Sequence, residues 1–189
     1  MRAFLALEIP GDIGDYVRGV IDRLAKRASD VRWVRKEGIH ITVKFLGEIE
    51  EGAARRMRDM LAPIGAIFAP IRARLGDLGA FPSMRSARVI VVKLKEGTKE
   101  MQAVFSEIEE GLAQMDVERE KRGLVPHITL GRRRVAKPFP NGDPLPIEER
   151  AFVVEQLVLF KSTLTPGGAL YEPIWKIRLE AKTDEGRRK

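Results

Sequence analysis

The chain of 189 residues contains no cysteine and only two histidines. The absence of cysteine excludes disulfides, thiolate metal ligands and a cysteine nucleophile. It fits a reducing cytoplasm, and it is also compatible with export. No segment approaches the roughly 18 consecutive apolar residues of a membrane span, and the short apolar run near the N-terminus is too brief for a secretory signal. We therefore expect a cytoplasmic protein with no membrane partner.

The charge of the chain is unbalanced. Lys and Arg number 34 against 27 Asp and Glu, which gives a net charge of +7 and a pI near 9.9. A basic balance favours a polyanionic partner such as nucleic acid or a phosphorylated small molecule, and a merely solubilising basic surface explains it equally well. With 44% hydrophobic residues, we predict one domain over residues 1–182 and a disordered basic tail over 183–189.

Apolar residues recur at helical spacing in three segments and form shorter runs between them. The helical patterns cover residues 12–28, 54–64 and 101–115, and the short runs predict about eight strands. Several neighbouring strands are too close for parallel crossovers, so we predict an α+β fold with antiparallel sheets and helices on their outer faces. The predicted strands cover residues 4–9, 31–34, 39–46, 67–79, 87–95, 127–130, 151–161 and 170–180.

Proline and glycine residues mark the boundaries between these elements. Gly131 is expected to end the strand at 127–130, and the four prolines of residues 137–147 predict a loop or a crossing segment. Pro166, Gly167 and Gly168 predict the turn of an antiparallel hairpin. The two halves of the chain resemble loose copies, because each contains a helix followed by a strand that opens with the same four-residue pattern.

That pattern is His-Ile-Thr-aliphatic, and it contains both histidines of the chain: His40-Ile41-Thr42-Val43 and His127-Ile128-Thr129-Leu130. Alternate side chains of a strand share a face. We therefore expect each histidine to share a face with its threonine, while the aliphatic residues, with Phe45, turn to the core. If the two halves face each other, both His-Thr pairs converge on one cleft.

Two imidazoles across a cleft suit phosphodiester chemistry. Their unperturbed pKa of about 6.5 allows one to be neutral and the other protonated near neutral pH. The neutral ring can take a proton from water and the charged ring can protonate the leaving oxygen, while the hydroxyls of Thr42 and Thr129 can hold the non-bridging phosphate oxygens. This chemistry requires no cofactor and no metal ion.

Two simpler interpretations compete with this one. A single histidine on a strand is more often a satisfied, partly buried side chain, but two matched copies that include every histidine favour catalysis. A metal site would need further ligands, because two histidines are too few for a His-only zinc site and neither motif has a second ligand at i+4. A carboxylate could complete such a site, but nothing in the sequence indicates one.

Paired His-x-Thr-x motifs about ninety residues apart resemble those of the 2H phosphoesterases. Further segments resemble the RNA 2',3'-cyclic phosphodiesterase branch, formerly called 2'-5' RNA ligases. The likeness extends from residue 2 to about residue 180. The segments that carry it are residues 2–7, 40–47, 126–132 and 159–171.

The resemblance implies a fold of two lobes with a pseudo-two-fold relation and a V-shaped cleft between two antiparallel sheets. It implies hydrolysis of an RNA 2',3'-cyclic phosphate to a 2'-phosphate. His40 would protonate the departing 3' oxygen, His127 would activate water, and Thr42 and Thr129 would bind the phosphate. The residues alone do not assign the donor and acceptor roles, since the two motifs are chemically symmetric.

Three further residues are weaker candidates for substrate binding. Lys44 falls on the His40 face by alternation and would add positive charge, or is an ordinary solvated lysine. Arg132 is off the His127 face by strict alternation, unless a bulge at Gly131 turns it, and would contact the RNA backbone or belong to a solvated end of the strand. Tyr171 would stack on a base or serve as a structural tyrosine.

Several functions share this site and stay open at the level of sequence. One is ATP-independent 2'-5' RNA ligation of ends such as those of tRNA halves, which is the same step reversed. Others are an RNA-binding module without catalysis and a phosphodiesterase for small cyclic nucleotides. We expect a monomer whose partner is RNA with a 2',3'-cyclic phosphate end.

Overall fold

The structure is a computed structural model that describes residues 1–139, 145–166 and 168–181. The predicted tail at 183–189, the centre of the proline-rich segment and Gly167 lie outside the described residues. The described part contains helices α1–α4, strands β1–β9 and a single 3-10 turn at Lys36–Gly38. The elements are β1 Arg2–Glu8, α1 Gly11–Ala25, β2 Arg32–Trp33, β3 His40–Glu48, α2 Glu51–Leu61, α3 Pro63–Ile67, β4 Ile71–Ser83, β5 Ser86–Glu96, α4 Thr98–Ala113, β6 His127–Lys137, β7 Ala151–Val154, β8 Gln156–Thr165 and β9 Gly168–Arg178.

The strands form two separate antiparallel sheets. One has the order β3-β1-β8-β9 and the other the order β2-β6-β5-β4-β7. Each sheet therefore contains one of the two motif strands, β3 in the first and β6 in the second. The predicted α+β class with antiparallel sheets is confirmed.

The helices cover the sheets with their apolar sides. Helix α1 buries the residues of its predicted stripe, among them Val17, Val20 and Leu24, which is the periodicity expected of a helix with one face on a core. Helix α4 packs against β4 and β5, and α2 and α3 contact β9. Within the described part of the chain, no helix combines the length and the apolar character needed to cross a membrane.

Several boundaries differ from the sequence prediction, among them that of β4, which covers Ile71–Ser83 rather than 67–79. The helical pattern at 54–64 is two helices, because Pro63 begins α3 and cannot continue the hydrogen bonding of α2. The segment 151–161 is two strands in different sheets: β7 pairs with β4, whereas β8 pairs with β1. Gly131 does not end its strand, since β6 continues to Lys137.

Candidate active site

Each motif strand contains a β-bulge at the fourth residue of its motif. In β3, Thr42 pairs with Ala6 and Lys44 with Leu5, so that Val43 has no partner across the ladder. In β6, the partners of Thr129 and Gly131 are the adjacent residues Val91 and Ile90 of β5, so Leu130 is the unmatched residue. An extra residue in one strand reverses the facing of the side chains that follow it.

The bulge in β3 turns the side chain of Lys44 away from the His40 face. Its side chain is only 3% exposed, and Nζ donates to Glu109 Oε1 at 2.5 Å and to the carbonyl of Glu118 at 2.8 Å. The prediction that Lys44 lies on the His40 face was wrong, because it assumed strict alternation past Val43. Phe45 was predicted to face the core, and the same bulge instead leaves it 58% exposed at the edge of a cavity.

The bulge in β6 turns Arg132 toward the same cavity. This residue is exposed and contributes to the cavity lining, as the sequence allowed only if the strand bulged near Gly131. Gly131 also permits close packing of β2, because a Cβ at this position would lie 2.5 Å from Val31 Cγ1 and 2.9 Å from Trp33 Cε3.

The cavity lies between the two motif strands and has a volume of about 460 Å³. The first sheet supplies most of its wall, and Thr129 and Arg132 of β6 complete it. Arg2 adds a second guanidinium. The polar and aromatic residues of its lining are Arg2, Phe4, His40, Thr42, Phe45, Thr129, Arg132, Ser162 and Tyr171.

His127 lies beside this cavity rather than in its lining. It precedes Thr129 by two positions on β6, and its charge is the smallest of the three causes that lower the pKa of His40. Strands β3 and β6 are also in direct contact. The structure therefore brings both motifs together at one place, with the imidazole of His127 at the border of the cavity.

His40 is packed among aromatic rings. Its ring centroid lies 4.9 Å from that of Phe4, 5.8 Å from Phe160 and 5.4 Å from Tyr171. Its Nε2 is 3.1 Å from Thr42 Oγ1. Burial, followed by the positive charges of Arg132 and His127, lowers the pKa of His40 to about 4.

His127 has one ring nitrogen fixed by the backbone. Nδ1 lies 2.7 Å from the carbonyl oxygen of Val125, and because a carbonyl only accepts, Nδ1 must carry the hydrogen. In the neutral ring Nε2 is therefore an acceptor. Burial lowers the pKa of His127, the bond to Val125 raises it and the charge of Arg132 lowers it, with a net decrease. The ring of Phe81 packs edge-on against it at 5.0 Å.

The sequence analysis missed the aromatic wall around His40. Phe4 and Phe160 are cross-strand partners on β1 and β8, and their rings stack at 5.4 Å. Tyr171 contacts both Phe4 and His40 edge-on, so it is part of the cavity wall as well as a candidate for substrate contact. Alternation along β1 places Phe4 with Ala6, but no single-sequence signal shows that β8 lies beside it.

The described residues, 1–139, 145–166 and 168–181, contain no group of three or more His, Asp or Glu side chains arranged to hold a metal ion. The metal-independent mechanism stays a prediction, which a chelator experiment tests directly.

Sequence comparisons identify the family. The model of the 2'-5' RNA ligase superfamily matches residues 14–163. An RNA 2',3'-cyclic phosphodiesterase of Methanocaldococcus jannaschii is 32% identical over 182 residues, covering 92% of this chain and 98% of that protein. Another, from Methanothermobacter thermautotrophicus, is 29% identical over 190 residues, covering 95% and 99%.

Solved structures show the same fold. A crystal structure of a Thermus thermophilus protein superposes with a TM-score of 0.83 at 24% identity, covering 97% of this chain and 100% of that one. The crystal structure of E. coli LigT complexed with 3'-AMP gives a TM-score of 0.78 at 23% identity, covering 94% and 97%. With the family model covering most of its length and its two His-x-Thr-x strands meeting at one cavity, this chain belongs to the 2'-5' RNA ligase superfamily, a family of 2H phosphoesterases.

Proposed function

We propose that the cavity between the motif strands hydrolyses RNA 2',3'-cyclic phosphate ends to 2'-phosphates, with His40 as proton donor and His127 as proton acceptor. The observation that carries the proposal is the convergence of two His-Thr motifs, one from each sheet, at a cavity that also contains Arg132. The activity matches the names of the curated relatives.

The tautomer of His127 supports its role as acceptor. The carbonyl of Val125 holds the hydrogen on Nδ1, which leaves Nε2 to accept a proton from water. The lowered pKa keeps this ring neutral near pH 7. As the water oxygen bonds to phosphorus, its proton passes to His127 and the bond from phosphorus to the 3' oxygen breaks.

His40 is the proposed source of the proton that the departing 3' oxygen needs. In the free protein its pKa of about 4 leaves about one ring in a thousand protonated at pH 7. A bound phosphate anion favours the charged ring and raises this pKa. We therefore propose that substrate binding causes His40 to take up a proton. After the product leaves, proton exchange with solvent returns both imidazoles to their starting protonation states.

The remaining groups of the cavity suit the pentavalent transition state. The hydroxyls of Thr42 and Thr129 can donate to the non-bridging oxygens, and the guanidinium of Arg132 lies in the same cavity. Fixed donors and positive charge aimed at developing negative charge are typically the largest contribution to such catalysis. Tyr171 and the exposed Phe45 offer aromatic rings to the terminal nucleoside.

The test is incubation of the protein in EDTA with a short RNA that ends in a 2',3'-cyclic phosphate. We expect a 2'-phosphate from the wild type and at least about a hundredfold loss in His40→Gln and in His127→Gln. Arg23→Gln, an exposed change on α1, is the control and should be unaffected. A 3'-phosphate product would reverse the leaving-group assignment. Full activity without both histidines would disprove the mechanism.

The same attack with a different nucleophile is the second candidate, and the name of the matching family model favours testing it. An RNA 5'-hydroxyl would replace water as the nucleophile and give a 2'-5' bond without ATP. We propose RNA ends such as tRNA fragments as the substrates, and a monomer acting in the cytoplasm. Adding a 5'-hydroxyl RNA in excess and separating the products by length distinguishes ligation from hydrolysis, and tight binding without either product would identify a binding module.

A further inference from the structure

Two arginines face each other beside the active cavity. Arg32 of β2 is the direct cross-strand partner of Arg132 of β6, and both are exposed. Side chains at directly opposed positions share a face with their Cβ atoms about 5 Å apart, where like charges destabilise the pair. Within the described ranges, neither guanidinium has a hydrogen bond or a carboxylate partner. The arrangement therefore has an uncompensated positive charge.

A second cavity of about 490 Å³ opens at this arginine pair. It continues from the active cavity, because Val34, Arg132 and Tyr171 line both. We call it the arginine groove and define it by Arg32, Trp33, Arg35, Arg132, Leu164 and Leu170.

The walls of the arginine groove suit a nucleotide. Leu164 and Leu170, at the tip of the β8–β9 hairpin, are 68% and 49% exposed, and Trp33 is held in place by a bond from Nε1 to the carbonyl of Ala28 at 3.3 Å. Apolar and aromatic walls accept a base of any identity, and arginine is the residue best matched to phosphate oxygens. Among the residues that the structure describes, Glu37 is the single acidic one in this lining.

We propose that the arginine groove binds the nucleotide that precedes the cyclic end, with Arg32 and Arg132 on either side of its linking phosphate. The inference rests on the proposed function and extends it. It defines the substrate class as an RNA of two or more nucleotides rather than a small cyclic nucleotide. A phosphate between the two guanidinium groups would also remove the repulsion that the strand pairing creates.

A different cavity of about 500 Å³ also adjoins the active one, where Phe45 and Gly47 line both. Its positive residues, including Lys121, are interspersed with Glu118 and Glu120. Arg119 is already paired with Glu110 there through two hydrogen bonds. This mixed charge gives a polyanion less attraction than the arginine groove does, so Lys121→Gln serves as the matched control.

The experiment compares kcat/KM for a 2',3'-cyclic mononucleotide and for a tetranucleotide with the same end. We expect the wild type to prefer the tetranucleotide, and Arg32→Gln to lose about tenfold on the tetranucleotide and less than about twofold on the mononucleotide. Lys121→Gln should leave both unchanged. The salt dependence of tetranucleotide binding should weaken by about one counterion in Arg32→Gln. Equal loss on both substrates, no loss, or a length effect that depends on Lys121 would each overturn the proposal.

A binding arm separates this proposal from the proposed function. Fluorescence anisotropy with a labelled tetranucleotide that ends in a 3'-phosphate measures the affinity of the arginine groove for RNA without turnover. Weaker binding to Arg32→Gln, with a melting temperature equal to or above that of the wild type, supports the arginine groove even if no cyclic phosphate is cleaved. A lowered melting temperature with unchanged affinity would show that Arg32 has only a structural role.

Discussion

Phe45 and Arg132 occupy equivalent positions in the two halves of the chain, each five residues after its motif histidine (40 to 45 and 127 to 132) and each turned to the cavity by a bulge at the fourth motif residue. The shared backbone therefore presents different chemistry on the two sides: an aromatic ring from β3 and a guanidinium from β6. The two halves therefore share backbone geometry at this position and differ in side-chain chemistry, with the guanidinium of Arg132 on the side of His127.

Removing the charge of Arg132 should have opposite effects on the histidine pKa values and on catalysis. We expect Arg132→Gln to raise the pKa of His40 and of His127, because burial and this guanidinium both lower them in the wild type. Activity should nevertheless fall about 100-fold, since a cationic donor to the phosphate is lost. NMR titration of the two imidazoles measures the first effect and steady-state kinetics the second. Arg134→Gln, an exposed change on the same strand, should alter neither.

The depressed pKa of His40 predicts a loss of stability in mild acid. The folded-state pKa of about 4 lies below the unfolded value of about 6.5, so the unfolded chain binds more protons between these values. The free energy of unfolding should fall as the pH drops from about 6.5 to about 4, by at most ~3 kcal/mol, and by less where solvent reaches the ring. Urea unfolding at about pH 7.5 and about pH 4.5 checks this. His40→Gln should lose less stability over the same interval, and an equal loss would contradict the assignment.

The buried pair of Lys44 and Glu109 should matter for stability and not for substrate. Lys44→Met leaves the carboxylate of Glu109 buried without its ammonium partner, which we expect to cost about 3–5 kcal/mol. Adding Glu109→Gln removes the uncompensated charge and keeps an acceptor for the backbone N–H of Glu120, so the double variant should recover much of the loss. The KM of the folded fraction should stay within about twofold of the wild type. A large rise in KM would contradict this and show that Lys44 contributes to substrate binding.

Gly131 should not tolerate a side chain. A Cβ there would meet Val31 and Trp33 at distances below 3.0 Å, so Gly131→Ala must push β2 away from β6 and should destabilise the protein by about 1–3 kcal/mol. Gly19, exposed on α1 with nothing within 4 Å of its Cβ position, is the matched control, and Gly19→Ala should stabilise by up to about 1 kcal/mol. Thermal unfolding of the two variants gives the comparison, and equal melting temperatures would argue against tight packing at Gly131.

Local patterns predicted a large part of the fold. The apolar stripe of α1 and the first residues of the two motif strands depend on neighbours within a few positions, and α1 and the starts of both strands lie close to where the sequence predicts them. The convergence of His40 and His127 on one cleft was a hypothesis from repetition, and the structure brings the two rings within electrostatic reach. Their catalytic roles stay predictions.

The features that the sequence did not predict depend on pairing between strands that lie far apart along the chain. The direction of Lys44 depends on the register of β3 against β1, and a bulge is a property of two strands together. The split of residues 151–161 between two sheets follows from partners that lie about eighty to one hundred and fifty positions away along the chain, on β4 and β1. For the same reason the opposition of Arg32 to Arg132 becomes visible only when β2 is paired with β6.

The central position of β1 in its sheet constrains the order in which the protein can mature during synthesis. This first strand lies between β3 and β8, so one of its edges stays unpaired until the ribosome has released residues 157–161 of β8. Tyr171, which completes the wall around His40, emerges later still. A nascent chain therefore has both histidines long before it has an enclosed site, and any activity that appears reports a chain extended through β9.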